Sequence, residues 1–166
     1  SLGPPRSVAL PQSGDTIVVD VSSAPNAAAV QWLSAAQTAG GKLPFLFTQG
    51  EAILTRTWVP TQDGPGIRQT YDATIHVPAG MRAVMSAEHV GIEGEKDGKG
   101  LSVFRFRMTH PIPPYLIAIA VGDIAFRPIG KTTGVYAEPT VVDKAAAEFS
   151  EVDKMVAVVE KLSGPY

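Results

Sequence analysis

The chain of 166 residues contains no cysteine. This absence excludes disulfide bonds, thiolate metal ligands and a cysteine nucleophile, but it leaves the compartment open between cytoplasm and periplasm. Long apolar runs are also absent: the longest covers residues 115–121, whereas a membrane-spanning helix needs about 20 apolar residues. We therefore expect no membrane-spanning segment in this sequence.

Charged side chains are few, and neither sign is in clear excess. They make up 18% of the residues, with 14 basic and 16 acidic groups and a formal net charge of −2. This balance offers no electrostatic attraction to phosphate backbones or anionic lipids, so we expect neither nucleic-acid nor membrane partners. The 45% of hydrophobic residues argues against a disordered chain, and the 16 glycines and 14 prolines predict many turns.

Alternating hydrophobicity predicts a mainly β fold built from antiparallel layered sheets. From Thr70 to Val77 polar and apolar side chains alternate, which is typical of a strand with one buried face. Either the same period or a β-rich apolar composition marks further candidate strands at residues 16–21, 81–85, 103–108 and 116–121.

Glycine and proline predict the connections between these strands. Turn signals occur at residues 12–15 and 63–66, and residues 91–100 combine mixed charges with glycines, which predicts a flexible hairpin tip. The three prolines of residues 111–114 predict an extended approach to the next strand, with a long crossing connection.

Near the C-terminal end the hydrophobic period changes to that of a helix. Residues 142–149 and 152–159 each place apolar side chains at i, i+3, i+4 and i+7, which predicts two short amphipathic helices. Ser150 with Asp153 predicts the N-cap of the second helix, and Gly164 predicts its C-cap.

Recognised catalytic motifs are absent from the sequence. His76, His89 and His110 lie at spacings that match no known metal site, so we expect structural or surface roles for them. The sequence also lacks a G-x-S-x-G turn, a glycine-rich phosphate loop and an H-E-x-x-H pair.

One polar segment follows an apolar stretch and precedes a turn that contains Pro60. Gln49 and Glu51 lie two residues apart, and in an extended chain such side chains point the same way. An amide and a carboxylate would then converge on one ligand atom, which makes this pair the candidate substrate-binding site. The alternative is a polar strand end that is exposed to water.

An ordered series of short motifs resembles a known enzyme family. Residues 48–52 read T-Q-G-E-A, and Arg56, the tripeptide W-V-P at 58–60, Asp63 and Pro65 follow them. This series resembles the zinc aminopeptidases of the aminopeptidase N and leukotriene hydrolase family. The likeness, which is nearest to the leukotriene hydrolase branch, continues at residues 31–33, 85–87, 113–123 and 149–166.

The resemblance implies that the chain is an interior part of a larger enzyme and holds an incomplete domain. Residues 1–128 would be the later part of a saddle-like β domain, and residues 129–166 would begin a thermolysin-like catalytic domain. The family's zinc-binding H-E-x-x-H helix would follow this chain, so zinc is expected in the parent enzyme and no cofactor in the chain itself. The implied partners are a peptide substrate's amino terminus and the remainder of the parent enzyme.

In this family the Q-x-E element holds the free amino terminus of the substrate, a role that the resemblance assigns to Gln49 and Glu51. A peptide ammonium group and an ionised glutamate form a charge-assisted contact. The branch best known for epoxide hydrolysis carries glutamine at the position of Glu51, so the carboxylate favours peptide hydrolysis. Two alternatives stay open: a fragment of an epoxide-hydrolase-type member, and a non-catalytic β-sandwich module that binds a partner or supports a scaffold.

Overall fold

The computed structural model describes residues 16–165 of the chain. Within these residues nine strands form three antiparallel sheets, two α-helices follow, and no helix is long and apolar enough to cross a membrane. This architecture confirms the prediction of a mainly β chain that ends in two short helices. The elements are β1 (Val30–Leu33), β2 (Phe45–Thr48), β3 (Gln69–Val77), β4 (Arg82–Met85), β5 (Glu88–Lys96), β6 (Ser102–Ile112), β7 (Ile119–Gly122), β8 (Ala125–Pro128), β9 (Gly134–Ala137), α1 (Val142–Glu148) and α2 (Val152–Ser163).

The three-stranded sheet, in the order β3-β6-β5, provides much of the apolar core. As the sequence predicts, β3 alternates between half-buried and exposed side chains and ends at the buried Val77, and β6 alternates buried phenylalanines with exposed arginines. Phe104 and Phe106 of β6 form a buried cluster with Val77 of β3 and Ala83 of β4. Since a fully buried large apolar side chain contributes about 1.5 to 3 kcal/mol, this cluster holds the two larger sheets together.

The four-stranded sheet, in the order β1-β2-β7-β4, places distant parts of the chain side by side. β2 pairs antiparallel with β7, and Leu46 is opposite Val121 in the ladder. Because the two strands run in opposite directions, the end of β2 lies beside the beginning of β7. The residues after Thr48 therefore meet the residues before Ile119, and this meeting point positions the candidate substrate-binding segment.

The prediction of a strand at residues 16–21 is wrong. These residues have no regular secondary structure and belong to none of the sheets in the described part of the chain. Val18 is 83% exposed and Val21 is 58% exposed. An alternating pattern forms a strand only when a neighbouring strand supplies backbone hydrogen-bond partners, and no described strand does so here. The turn signal at residues 12–15 lies outside the described residues.

The hairpin predicted at residues 91–100 is confirmed, but its tip is limited to residues 97–101, because β5 extends to Lys96 and pairs there with Ser102 of β6. The ladder between β5 and β6 shifts register between Val90 and Glu95. Gly91 and Gly94 have positive φ angles of 81° and 69° in this interval. Glycine serves here to form an irregular strand and not a flexible loop.

The proline-rich connection is short, and the predicted long crossing is wrong. β6 continues through Pro111, and residues 113–118 cross directly to β7. They contain the 3₁₀ turn Pro114–Leu116, which the fixed φ of proline favours. The strand predicted from residue 116 accordingly begins later, and Leu116 is 47% exposed instead of being buried on both faces.

Both predicted helices are confirmed, and the predicted N-cap of α2 is wrong. Gly164 ends α2 with a positive φ of 96° and donates its N–H to the Glu160 C=O, as expected of a C-cap. The N-cap residue of α2 is Glu151 instead of Ser150, and no side chain caps this end. Asp153 does not take part in a cap because its carboxylate binds the turn between β8 and β9.

The Asp153 carboxylate attaches α2 to the β8–β9 hairpin. Its Oδ2 accepts the Lys131 N–H at 2.9 Å, and its Oδ1 accepts the Thr133 hydroxyl at 2.7 Å. These donors lower the pKa of Asp153, and the hydrogen bond from the Lys131 backbone is the largest cause. Gly130 permits the approach, because a Cβ at Gly130 would lie 2.1 Å from Asp153 Cγ.

We expect Asp153 to stabilise the chain in a pH-dependent way. Its pKa is lowered in the folded state, so its stabilisation is complete above the unfolded value of about 3.9 and is lost as the pH falls through the lower folded value. Asp153→Asn should therefore lower the urea midpoint at pH 7, and its difference from the wild type should shrink below about pH 3.9. Glu148→Gln, at an exposed carboxylate of α1, is the control. A difference that does not change with pH would contradict the prediction.

Candidate functional site

The candidate substrate-binding segment begins where β2 ends. The Gln49 N–H donates to the Ala29 C=O at 2.8 Å, so contact with the chain just before β1 continues one residue past the strand. The chain then turns, and the Leu54 N–H donates to the Gly50 C=O at 2.9 Å. Residues 51–54 thus form a turn at the end of the four-stranded sheet.

The Gln49 side chain folds onto the backbone of this turn. Its Oε1 accepts the Glu51 N–H at 2.8 Å. The assigned turn begins at Glu51, after Gly50, so the expectation that the Gln49 and Glu51 side chains point the same way stays a prediction. Gln49 holds the Glu51 backbone in place, while its amide NH₂ and the second lone pair of Oε1 remain able to bind a ligand.

Glu51 presents an exposed carboxylate. Among residues 16–165, no group forms a hydrogen bond or an ion pair with this carboxylate. The peptide bond between Glu51 and Ala52 is cis. Because glutamate is ionised at neutral pH, the turn carries a negative charge with unfilled acceptor capacity. This arrangement suits a cationic ligand with several N–H donors, such as an ammonium group.

Gly50 lies between these two residues and is buried against the turn Pro114–Leu116. A Cβ at Gly50 would lie 2.5 Å from Thr55 Oγ1 and 3.0 Å from both Cα and the carbonyl oxygen of Tyr115. Glycine permits this approach without displacing the backbone of the turn. Thr55 is completely buried, and its Oγ1 donates to the Pro114 C=O at 2.9 Å. The exposed pair therefore rests on a buried support.

Arg56 and Asp63, which belong to the recognised motif series, support the loop that follows Glu51. The Asp63 side chain is 1% exposed, and its Oδ2 accepts the Arg56 N–H at 2.9 Å. The Arg56 guanidinium donates in turn to the Asp63 C=O at 2.5 Å. Sequence reasoning assigned no role to this pair, and the only signal for it was its place in the motif series.

His76 and His89 contact different residues and do not form a shared site. His76 Nδ1 lies 2.9 Å from Asp97 Oδ2, and this hydrogen bond is the largest cause of the lowered pKa of Asp97. The His89 ring packs edge-on against the rings of Phe104 and Phe106. Residues 16–165 contain no group of three or more His, Cys, Asp or Glu side chains that could hold a metal ion. The described residues therefore offer no zinc site.

An apolar cleft of about 440 Å³ lies between the two larger sheets. Its lining is almost wholly apolar, so it lacks the converging polar groups that orient a substrate for chemistry. The sequence does not predict this cleft, because the lining side chains come from segments that are distant in the chain. They include Trp32, Leu46, Trp58, Ile75, Met81 and Val121.

Known proteins resemble this chain along most of its length. The sequence profile of the Peptidase M1 N-terminal domain matches residues 29–116. Aminopeptidase B from Mus musculus is 47% identical over 138 residues, which cover 82% of this chain and 20% of that protein. Leukotriene A-4 hydrolase from Xenopus laevis is 37% identical over 169 residues, which cover 99% of this chain and 28% of that protein. The chain thus spans less than a third of the length of these relatives.

Solved structures share the fold. Native yeast LTA4 hydrolase matches with a TM-score of 0.76 at 36% identity, covering 87% of this chain and 22% of that chain. The M1 zinc metallopeptidase from Deinococcus radiodurans matches in fold, with a TM-score of 0.56 at 24% identity, covering 74% of this chain and 29% of that chain. The profile match extends over more than half of the chain and includes Gln49, Glu51 and their buried support, so the chain belongs to the Peptidase M1 N-terminal domain family.

Proposed function

We propose that this chain provides the substrate-anchoring part of a zinc aminopeptidase, an enzyme that removes amino-terminal residues from peptides. Glu51 accepts the α-ammonium group of the substrate, and Gln49 assists it. The observation that carries the proposal is the exposed Glu51 carboxylate, which has no protein partner in the described residues and rests on a buried support. The 47% identity to aminopeptidase B supports the reaction class.

The chemistry of the ligand suits the site. The α-amino group of a peptide has a pKa of about 7.7 to 8.0, so at neutral pH it is largely an ammonium group with three N–H donors. Hydrogen bonds to a charged group are worth roughly 1.5 to 3 kcal/mol, against roughly 0.5 to 1.5 kcal/mol between neutral groups. We therefore expect Glu51 to contribute more than Gln49, whose Oε1 already accepts a backbone N–H. An enzyme that anchors the amino terminus acts on the peptide bond nearest to it.

In this proposal the zinc belongs to the part of the enzyme outside this chain. Solved relatives in fold include an M1 zinc metallopeptidase, and the described residues contain no metal cluster. Zinc bound in the remainder of the enzyme would polarise the peptide carbonyl that is attacked. Residues 1–128 would complete a β domain, and residues 129–166 would begin the catalytic domain. This proposed boundary falls in the turn between β8 and β9.

Epoxide hydrolysis is a second candidate function. The observation that favours it is the 37% identity to leukotriene A-4 hydrolase across 99% of this chain. The two functions differ in what they require of Glu51, because an ammonium group pairs with its charge and an epoxide carries no charge to pair. A non-catalytic β module would require neither role.

In the full-length enzyme, Glu51→Gln should lower kcat/KM for peptides with a free amino terminus by roughly fivefold to tenfold. The substitution keeps the size and shape of the side chain but removes the charge from a contact on the order of 1.5 to 3 kcal/mol. Gln49→Ala should cost less, because it removes a neutral group that water partly replaces. Steady-state kinetics on free and acetylated dipeptides measures both effects.

The controls separate the candidate functions. Acetylated dipeptides should be poor substrates for the wild type and should change little in Glu51→Gln. Glu148→Gln, at an exposed carboxylate of α1, should change kcat/KM by less than about threefold. Equal kcat/KM for free peptides in the wild type and Glu51→Gln would refute the anchor role. Turnover of an epoxide without peptide turnover would favour the second candidate, and the absence of both would favour a non-catalytic module.

The 166-residue chain on its own should bind no stoichiometric zinc and hydrolyse no aminoacyl anilide. A catalytic zinc needs about three protein ligands and an open position, and the described residues provide no such cluster. Elemental analysis after dialysis, together with assays on alanyl and arginyl anilides, tests both statements, and the full-length enzyme is the positive control. Zinc bound one to one, with turnover, would contradict the assignment of the metal to another part of the enzyme.

A further inference from the structure

The turn behind Gly50 controls the position of the anchor. We call residues 113–117 the proline turn. It lies directly behind Gly50, where two atoms of Tyr115 are 3.0 Å from the position that a Cβ would take. Gly50 separates Gln49 from Glu51 and has no side chain that could absorb a displacement. A shift of the proline turn would therefore move the backbone of both anchor residues.

Thr55 holds the proline turn from the side of the anchor loop. Its side chain is completely buried, and its Oγ1 donates to the Pro114 C=O at 2.9 Å. The same carbonyl accepts the Ile117 N–H at 2.9 Å, so it closes the proline turn and binds the anchor loop at once. Thr55 shares this short loop with Glu51, and its hydroxyl therefore joins the anchor to the turn behind it.

Ser86 also holds the proline turn. Its hydroxyl donates to the Leu116 C=O at 2.6 Å and accepts the Ala118 N–H at 3.0 Å. Because a hydroxyl has one proton, the Tyr71 hydroxyl is the donor in its 3.1 Å contact with Ser86. Burial raises the pKa of Tyr71, which agrees with a phenol that keeps its proton. Ser86 follows β4 and Tyr71 lies in β3, so both larger sheets support the turn.

We propose that Thr55 and Ser86 are positioning residues for the amino-terminus anchor at Glu51. They keep the proline turn against Gly50, and the turn keeps the Glu51 backbone where its carboxylate meets the substrate. The inference rests on the proposed anchor role of Glu51 and adds two residues that do not touch the substrate. It also gives the two hydroxyl groups a role beyond satisfying the carbonyls that they bind.

Loosening the proline turn should weaken substrate binding more than it slows bond cleavage. In the full-length enzyme, Thr55→Val removes the hydroxyl and keeps the shape, so KM for a free dipeptide should rise about threefold to tenfold with kcat within about twofold. Thr55→Ser keeps the hydroxyl and should restore a KM near that of the wild type. A purely structural role would lower the amount of folded enzyme, and hence the apparent kcat, without changing KM.

Ser86→Ala and Tyr71→Phe provide an independent pair. Ser86→Ala removes the hydrogen bonds to the Leu116 C=O and from the Ala118 N–H, and it should raise KM. Tyr71→Phe removes only the hydrogen bond that Tyr71 donates to Ser86, and it should leave KM within about twofold of the wild type. If Thr55→Val does not fold, the comparison of Ser86→Ala with Tyr71→Phe tests the positioning role. Thr74→Val, on the exposed face of β3, is the control for exchanging threonine with valine.

Failure of the positioning role and failure of the anchor role give different results. In a Glu51→Gln background, Thr55→Val should change KM by less than about twofold, because the contact that it aligns is already weakened. If Glu51→Gln equals the wild type, the anchor role is overturned and the positioning role with it. If Glu51→Gln is impaired while Thr55→Val and Ser86→Ala keep the wild-type KM, only the positioning role is overturned.

Discussion

The close approach of Gly50 to the backbone of Tyr115 is the constraint on which the site depends. A Cβ at Gly50 would lie 3.0 Å from two Tyr115 atoms, so no side chain fits between the anchor loop and the turn behind it. The pairing of β2 with β7 brings the two segments together, and the Thr55 hydroxyl joins them. The exposed residues on either side of Gly50 are therefore positioned by a buried contact.

Most polar residues of the motif series bind other protein groups and support the loop after Gln49. One of them instead presents a side chain to solvent without a hydrogen bond or ion pair in the described residues. Arg56 and Asp63 bind each other through backbone and side-chain atoms, and Gln49 binds the Glu51 backbone. Glu51 is the member whose side chain has no hydrogen bond or ion pair within residues 16–165. A side chain that already binds protein groups has less capacity left for a ligand than one that binds none, so this difference directs attention to Glu51.

The sequence predicts some strands and helices better than others, because a hydrophobic period is visible in a short window whereas strand pairing is not. β3 and β6 each bury one face, and α1 and α2 carry apolar side chains at helical spacing, so their periods are visible in short windows. Residues 16–21 show a similar but less clean alternation and have no ladder partner in the described chain. Residues 91–96 of β5 are predicted as part of a hairpin tip because of their charges and glycines, and the pairing of β5 with β6 overrides that composition. β1, β2, β8 and β9 contain four residues each without a clear alternation of apolar and polar side chains, so no strand is predicted there.

The sequence by itself determined the mainly β class, the two C-terminal helices, the family and the candidate pair Gln49 and Glu51, because each of these depends on the order of neighbouring residues. Only the tertiary structure decided that Gln49 binds the Glu51 backbone and that Thr55 and Ser86 hold the turn behind them. Thr55 is 59 residues from the carbonyl that it binds, and Ser86 is 30 residues from its own. Hydrogen bonds over such separations depend on the register of β2, β7 and β4, which long-range packing sets and no local pattern records.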